Sequence, residues 1–134
     1  MRIFVDTSFY IALLRQDDTQ HKKATAILDK LDHTDAILYT SHFVIDETVT
    51  VLSMRVSKKE ANKFLDTVLQ KDFPMILDMD SALRKTSHDF FRSLKNKNIS
   101  MIDCHSVILM NHKNIEYCLT FDDHFKKMGF KVWG

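Results

Sequence analysis

Four acidic side chains, far apart in the chain, lie where an α/β fold places ligand-binding residues. Asp6 directly follows the apolar run RIFV, and Asp122 lies three residues beyond the apolar run YCL. Glu47 in IDETVTVL and Asp103 in SMIDCHSV lie near the starts of segments with helical period. Because the carboxyl ends of parallel strands and the starts of the following helices share one edge of a sheet, we expect the four carboxylates to converge.

Carboxylates that converge repel one another and raise one another's pKa. No Lys or Arg in the four acidic segments is an obvious neutralising partner, so a divalent cation is the expected one. Hard oxygen ligands without an accompanying set of Cys and His favour Mg²⁺ or Mn²⁺ over Zn²⁺. Since Mg²⁺ typically works with one or two carboxylates and substrate phosphates, the pattern indicates phosphoryl chemistry.

Three of these acids also have a local structural explanation. Asp6 could be the N-cap of the helix that follows it, and Asp122 could cap the short segment HFKKM. Asp103 could complete a capping box with Ser100 and interact favourably with the helix dipole. These explanations treat each acid separately and do not account for their convergence on one edge of the sheet.

Glu47 is harder to explain locally. On a helix it shares a face with Val44 and Val51, whereas Asp46 and Thr50 point elsewhere. A carboxylate on a core-facing stripe is unfavourable by several kcal/mol if it is buried and unpaired, so it needs a partner or a cation.

Short β-branched or aromatic runs alternate with longer segments of helical period, which predicts an α/β fold with a mainly parallel sheet. The predicted strands are Arg2–Val5, Ile37–Tyr39, Met75–Leu77, Tyr117–Leu119 and Phe130–Trp133. The predicted helices are Ser8–Arg15, His21–Leu31, Ser41–Arg55, Lys59–Leu69, Ser81–Leu94 and Met101–His112. Ser41 is a predicted N-cap, and the pairs Ser57 with Glu60 and Ser100 with Asp103 have the form of capping boxes.

The composition predicts one compact domain over residues 1–134. Of the 134 residues, 45% are hydrophobic and 28% are charged, with two glycines and one proline. The net charge of +1 gives no general argument for binding to nucleic acid or to membranes. The isolated Cys104 and Cys118 predict reduced thiols, and the apolar run Phe9–Leu14 is too short for a signal core or a membrane span. We therefore expect a soluble, cytoplasmic protein.

The four acidic segments DTSFYIALL, IDETVTVL, SMIDCHSV and TFDDHF resemble, in this order, the four acidic motifs of PIN-domain ribonucleases, most closely the VapC-type toxins of toxin–antitoxin modules. The resemblance extends from Asp6 to Phe125 and implies a PIN-like three-layer α/β/α domain with about five strands. By this resemblance the catalytic and metal-binding set would be Asp6, Glu47, Asp103 and Asp122, supported by Thr120, Ser8 and Asp123. Phe125 would anchor the last motif in the core.

The activity that the resemblance implies is Mg²⁺- or Mn²⁺-dependent endonucleolytic cleavage of RNA. A small antitoxin would cover the acids, and two copies would form a homodimer through apolar faces on Ile11–Leu14 and Val49–Met54. Basic side chains around the cleft would contact RNA phosphates, although each is also explained as a solvated surface residue. These candidates are Arg15, Lys22, Lys23, Arg92, Lys95, Lys97, Lys126 and Lys127.

Several alternatives stay open. His105, in the first turns of its predicted helix, could be a ligand or proton shuttle, or only a packed or surface histidine. The remaining histidines are scattered without ligand spacing, so a structural zinc site is not predicted. The motifs also fit an RNA-processing nuclease, or a PIN-like module that binds RNA or protein without catalysis. A receiver domain or a haloacid-dehalogenase-type phosphatase fits less well, because the first strand is followed by DTS rather than by an acidic pair or DxD.

Overall fold

A single parallel sheet of five strands forms the centre of the computed structural model, which describes residues 1–70 and 74–134. The strands are β1 (Arg2–Val5), β2 (Ile37–Ser41), β3 (Met75–Leu77), β4 (Tyr117–Leu119) and β5 (Lys131–Val132). Their order across the sheet is β3-β2-β1-β4-β5, and every neighbouring pair is parallel. The predicted sheet is confirmed, with β2 ending two residues later than predicted.

Seven helices connect the strands in the described part of the chain and complete a three-layer α/β/α fold. They are α1 (Thr7–Leu14), α2 (His21–Leu31), α3 (His42–Arg55), α4 (Lys58–Val68), α5 (Ser81–Ser93), α6 (Met101–His112) and α7 (His124–Lys127). The first six confirm the predicted helices to within one residue at each end, whereas α7 was not predicted as a helix. Among the described residues, no helix is long and apolar enough to cross a membrane.

The core lies on both faces of the central strands. Residues Ile3 and Phe4 of β1 have no exposed surface, as expected for a parallel strand that is covered by helices on both sides. Phe125 is also fully buried, which confirms its predicted role as an anchor. Cys104 and Cys118 are buried free thiols, in agreement with the absence of a predicted disulfide.

The functional consequence of the strand order is a switch point between β1 and β4. The chain builds β1, β2 and β3 toward one edge, then crosses back to place β4 on the other side of β1. Helices and loops diverge at such a point, which leaves a crevice beyond the carboxyl ends of the two strands. The backbone N–H of Asp6 donates to the Leu119 carbonyl at 3.0 Å, so the two strand ends leave the sheet side by side.

The apolar faces that were predicted to be exposed are exposed only in part. Leu14 is 39% exposed and Met54 is 80% exposed, whereas Ile11, Ala12 and Leu52 belong to the core. The other apolar side chains of these faces are partly buried: Leu13, Val49 and Val51. The prediction of two exposed faces on Ile11–Leu14 and Val49–Met54 was therefore wrong for the three core residues. The helices α1 and α3 contact each other and cover the sheet, which removes these side chains from water.

Helix starts agree with the predicted caps in all but one detail. Ser41 and Ser57 each accept a hydrogen bond from the backbone N–H three residues on. Ser100 and Asp103 form a complete capping box, in which Asp103 also accepts from the Ser100 backbone N–H at 3.2 Å. The pair Ser57 and Glu60 forms only the serine half of a box in the described structure. Asp103 is thereby held at the first turn of α6.

The Ser100→Ala variant is expected to lower the free energy of unfolding by about 1 kcal/mol, because it removes the N-cap hydrogen bond of α6. The Ser57→Ala variant is the matched control, since it removes the same type of bond at α4, away from the acids. Urea denaturation of both variants measures the effect. If the free energy of unfolding changes far less in Ser100→Ala than in Ser57→Ala, the capping box of Ser100 and Asp103 contributes little to stability.

Candidate functional site

An open cleft of about 420 Å³ lies at the switch point, beyond the carboxyl ends of β1 and β4. Its walls include the carboxylates of Asp6, Glu47, Asp103 and Asp122, so the structure brings the four acids together. Asp6 and Asp122 follow the ends of β1 and β4, Glu47 lies in the second turn of α3, and Asp103 lies in the first turn of α6. Their role as metal ligands stays a prediction.

Asp6 is the most buried of these acids, with only 5% of its surface exposed. It occupies the N-cap position of α1, but its side chain makes no capping bond. Instead, the hydroxyls of Ser8 and Thr120 both donate to its Oδ2 atom, at 3.1 and 2.9 Å. The local explanation of Asp6 as a helix cap is therefore wrong, and the carboxylate is oriented by residues from two different segments.

The two hydroxyls are themselves held by the backbone of the last acidic segment. Ser8 Oγ accepts from the backbone N–H of Phe121 at 2.9 Å, and Thr120 Oγ1 accepts from that of Asp122 at 3.0 Å. Each hydroxyl thus donates its one proton to Asp6 and accepts one N–H, so no proton remains for a hydrogen bond between Ser8 Oγ and Thr120 Oγ1, which lie 3.0 Å apart. The geometry supports the predicted supporting role of Ser8 and Thr120.

Burial raises the pKa of Asp6 from 3.8 to about 6, and the negative charge of Asp103 acts in the same direction. The hydrogen bonds from Thr120 and Ser8 oppose this shift, because they stabilise the ionised form. Burial also raises the pKa of the Cys118 thiol well above its usual value, with further contributions from Asp6, Asp103 and Asp122. The cleft therefore has a strongly negative local potential that a cation would relieve.

Asp103 and Asp122 share an additional partner, His124. The imidazole Nδ1 lies 3.0 Å from Oδ1 of Asp122 and 3.3 Å from Oδ2 of Asp103. The backbone N–H of His124 also donates to Oδ1 of Asp122 at 2.9 Å. The N-cap residue of α7 is Asp123 and not Asp122. Within the described residues, these three side chains form the group whose ligand atoms lie closest together, all within 4.8 Å.

Glu47 forms the opposite wall of the cleft. It is half-buried on α3 and, in the described part of the chain, its carboxylate has no hydrogen-bond or ion-pair partner. Asp46 and Thr50 are exposed, which confirms the predicted orientation of this helix. Arg55 lies two turns further along α3 and lines the same cleft.

The predicted basic candidates lie outside the cleft lining. Arg15 is paired with Asp17 at 3.0 Å, and Arg92 with Asp89 at 2.9 Å. Lys23 lies 5.9 Å from the centroid of the Phe121 ring at the edge of the cleft. The remaining candidates are exposed: Lys22, Lys95, Lys97, Lys126 and Lys127. Asp123 is exposed as well and does not line the cleft.

His105 belongs to the core and not to the cleft. Its ring stacks on Phe43 with centroids 4.2 Å apart, and its Nδ1 lies 2.7 Å from Ser87 Oγ. Burial lowers the pKa of His105, which favours the neutral ring. The interpretation of His105 as a packed histidine is confirmed.

Two side chains of the cleft were missed from the sequence, Arg55 and His124. Arg55 shares a helix face with Glu47 at a spacing of eight residues, which is a pattern that the sequence contains. His124 was weighed only as a zinc ligand among scattered histidines. The sequence signal that could have identified His124 is its position two residues beyond Asp122 and directly before the core residue Phe125.

The donors in the cleft fit a divalent cation of the Mg²⁺ or Mn²⁺ type. The lining has five acidic residues, Asp6, Asp18, Glu47, Asp103 and Asp122, and no thiolate, and the imidazole of His124 lies against Asp103 and Asp122. Burial raises the pKa of one of these carboxylates, that of Asp6, and the negative charge of Asp103 adds to the shift. An acid-lined cleft at the switch point of a parallel sheet defines the class as an α/β domain with an acidic cleft beyond its central strands.

The chain belongs to the PIN domain family, whose family model matches residues 3–131. It is similar to the 23S rRNA-specific endonuclease VapC20 of Mycobacterium tuberculosis, with 27% identity over 132 residues that cover 96% of this chain and 95% of the relative. The crystal structure of VapC20, described as a Sarcin-Ricin loop cleaving toxin, superposes with a TM-score of 0.87 at 26% identity and the same coverage.

Two more distant structures share the fold. FitAcB from Neisseria gonorrhoeae has a TM-score of 0.65 at 18% identity, covering 98% of this chain and 96% of the other. VapBC2 from Rickettsia felis, bound to a DNA fragment from its promoter, has a TM-score of 0.58 at 15% identity, with 98% and 97% coverage. These comparisons support the PIN architecture that the resemblance implied.

Proposed function

We propose that this protein is a metal-dependent endoribonuclease that acts as the toxin of a toxin–antitoxin pair. The observation that carries the proposal is the convergence of Asp6, Glu47, Asp103 and Asp122 in one cleft at the switch point. Membership of the PIN family and similarity to VapC20 along nearly the whole chain support it. In this proposal residues 1–134 form one domain. Because the proposed substrate is RNA, we expect the protein to act in the cytoplasm.

In this mechanism Asp6, Glu47, Asp103 and Asp122 would hold Mg²⁺ or Mn²⁺. The cation would supply Lewis-acid activation of a water molecule and compensate the charge of the phosphodiester. The hydroxyls of Ser8 and Thr120 donate to Oδ2 of Asp6 and orient its carboxylate. Glu47 lines the cleft and has no other side-chain partner among the described residues, so it could ligate the cation or accept a proton from the attacking water.

Arg55 is proposed to bind an RNA phosphate next to the scissile bond. Among the described residues that line the cleft, it alone has a permanent positive charge. A guanidinium matches phosphate geometry with two parallel hydrogen bonds, and it reduces the repulsion between the acidic cleft and the RNA backbone. The more distant basic residues Lys22, Lys23, Lys126 and Lys127 would extend this contact without reading sequence.

The Arg55→Ala variant is expected to bind RNA about tenfold more weakly, because one phosphate contact is lost. The measurement is RNA affinity by fluorescence anisotropy in a cleavage-inactive background, at several salt concentrations. The slope of log affinity against log salt should decrease by about one in magnitude. Arg92→Ala is the matched control, since Arg92 is already paired with Asp89 and lies outside the cleft. Equal effects of the two variants would contradict the assignment.

The nuclease is tested by incubating end-labelled RNAs with purified protein in Mg²⁺, Mn²⁺ or EDTA. Because VapC20 is named for 23S rRNA, the substrates include ribosomal RNA, a sarcin–ricin loop oligonucleotide and an unstructured RNA. Cleavage that requires metal and is lost in Asp103→Asn, with the variant still folded, is the expected result. Metal-independent cleavage would contradict the proposed metal dependence, and no cleavage of any RNA would favour the binding-module alternative.

The proposed protein partner is a small antitoxin that covers the cleft. A basic side chain from such a partner would compensate the four carboxylates in the same way as a cation, since charge-assisted hydrogen bonds to carboxylates are strong. The proposed homodimer would use the exposed Leu14 and Met54 rather than complete apolar faces of their helices. Sedimentation of the purified protein measures its oligomeric state.

A further inference from the structure

His124 is held against the acid cluster by three independent restraints. Its backbone N–H donates to Asp122, its imidazole lies between Asp122 and Asp103, and it is followed by the fully buried Phe125. Only 20% of its side chain is exposed, so the ring has little freedom to turn away. The imidazole is therefore a preorganised part of the cleft and not a mobile surface group.

The distances around this imidazole suit a shared cation. Ligands at about 2.1 Å from an ion in adjacent octahedral positions are about 3.0 Å from each other. Nδ1 of His124 lies 3.0 Å from Asp122 Oδ1 and 3.3 Å from Asp103 Oδ2, and both of these carboxylates line the cleft. The same distances also fit hydrogen bonds from a single Nδ1 proton, but one proton cannot serve two carboxylates at full strength.

We propose that His124 is a ligand of the cation that Asp103 and Asp122 hold, and that it makes the site prefer Mn²⁺ to Mg²⁺. The inference rests on the cation site of the proposed function and adds a nitrogen ligand to its acids. Mg²⁺ takes oxygen ligands almost exclusively, whereas first-row transition ions also accept imidazole nitrogen. Because the other donors are carboxylates, Mn²⁺ suits the mixed set better than softer ions.

The test uses tag-free, RNA-free protein so that no other histidines are added. Wild type is compared with His124→Asn, which keeps an N–H donor near the position of Nδ1 and removes the imidazole nitrogen as a ligand. His112→Asn is the matched control, since His112 is exposed near the end of α6. Electron spin echo envelope modulation of bound Mn²⁺ detects a coordinated nitrogen directly, and competition titrations give the Mn²⁺-to-Mg²⁺ affinity ratio.

The expected result is nitrogen modulation in wild type and His112→Asn that is lost in His124→Asn. The Mn²⁺-to-Mg²⁺ affinity ratio should fall about tenfold in His124→Asn alone. Bound Mn²⁺ without nitrogen modulation, an unchanged ratio, or no Mn²⁺ binding by wild type would overturn the inference. Since no RNA is present, these outcomes are separate from those of the cleavage assay. If the protein cleaves RNA but the Mn²⁺-to-Mg²⁺ affinity ratio is unchanged in His124→Asn, the proposed nuclease function stands and His124 is only a hydrogen-bonding residue.

Discussion

The Asp6→Asn variant is expected to be more stable than wild type at pH 7.5 without metal, and to have almost no nuclease activity. The carboxylate of Asp6 is buried in a cleft with other acids, so ionisation is unfavourable in the folded protein. Asparagine has the same shape without the charge, and its amide oxygen can still accept from Ser8 and Thr120. Metal binding, in contrast, needs the charged form.

The pKa of Asp6 gives the sign and size of the expected stability difference between Asp6→Asn and wild type. The pKa of Asp6 is about 6 in the folded protein and 3.8 as an ordinary carboxyl, so the folded state holds the proton more tightly. The metal-free protein therefore loses stability as the pH rises from about 4 to about 6, and the full penalty remains above that range. At pH 7.5 the penalty is about 3 kcal/mol, which Asp6→Asn removes.

Urea denaturation in EDTA at pH 5 and pH 7.5 measures the stability, and single-turnover cleavage measures the activity. Activity should fall about 10³-fold, since several kcal/mol of charge stabilisation are lost with the cation. Added Mn²⁺ should stabilise wild type but not the variant. The exposed Asp46 on α3 provides the control variant Asp46→Asn, which should change neither quantity. A destabilised Asp6→Asn would show that the carboxylate is not under electrostatic strain.

The sequence was sufficient for the fold because each element has a strong local pattern. RIFV and YCL are short apolar runs that suit strands buried on both faces, and serines mark the starts of three helices. The differences are the extent of β2, the extent of β5, which is Lys131–Val132 rather than Phe130–Trp133, and the short helix α7, which was not predicted. Thr40 and Ser41 extend β2 although their side chains are polar, because they pair with Ile76 and Leu77 of β3. Such pairing is a tertiary property that no local pattern contains.

The position of the acids was predictable because strand ends and helix starts are defined by local sequence. Contacts between segments that are distant in the chain could not be predicted from the sequence. Ser8 and Thr120, which both donate to Asp6, lie 112 positions apart in the chain. The contact of His124 with Asp103 joins α7 to α6. Likewise, the apolar residues of α1 have no polar stripe that would indicate which side is exposed, so their burial was decided by packing against α3.

The variant Thr120→Val should show most clearly whether the Thr120 hydroxyl positions Asp6 or only stabilises the fold. Its hydroxyl donates to Asp6 Oδ2 at 2.9 Å and accepts from the backbone N–H of Asp122 at 3.0 Å. In Thr120→Val both bonds are lost, so a carboxylate loses a donor and an N–H near the cleft loses its acceptor. We expect the free energy of unfolding to fall by about 2 kcal/mol.

The effect of Thr120→Val on cleavage should be larger than its effect on stability implies. Two of the four acids lose an orienting contact, and removal of such contacts behind metal ligands typically lowers metal affinity or activity by about 10- to 100-fold. The Thr120 hydrogen bond also lowers the pKa of Asp6, so the variant should need a higher pH for full activity. Activity against pH at saturating Mn²⁺ measures this shift.

The matched control for Thr120→Val is Thr48→Val, which makes the same chemical change at another buried threonine. The Thr48 hydroxyl donates to the Val44 carbonyl within α3, at 2.7 Å, and makes no hydrogen bond to the acids in the described part of the chain. Its removal should change stability but leave the activity profile against pH unchanged, because Asp6 keeps both of its donors. If the two variants show the same activity profile, the hydroxyl of Thr120 serves the fold alone. If only Thr120→Val loses activity and shifts toward higher pH, the network behind Asp6 sets the charge state in which the cleft binds its cation.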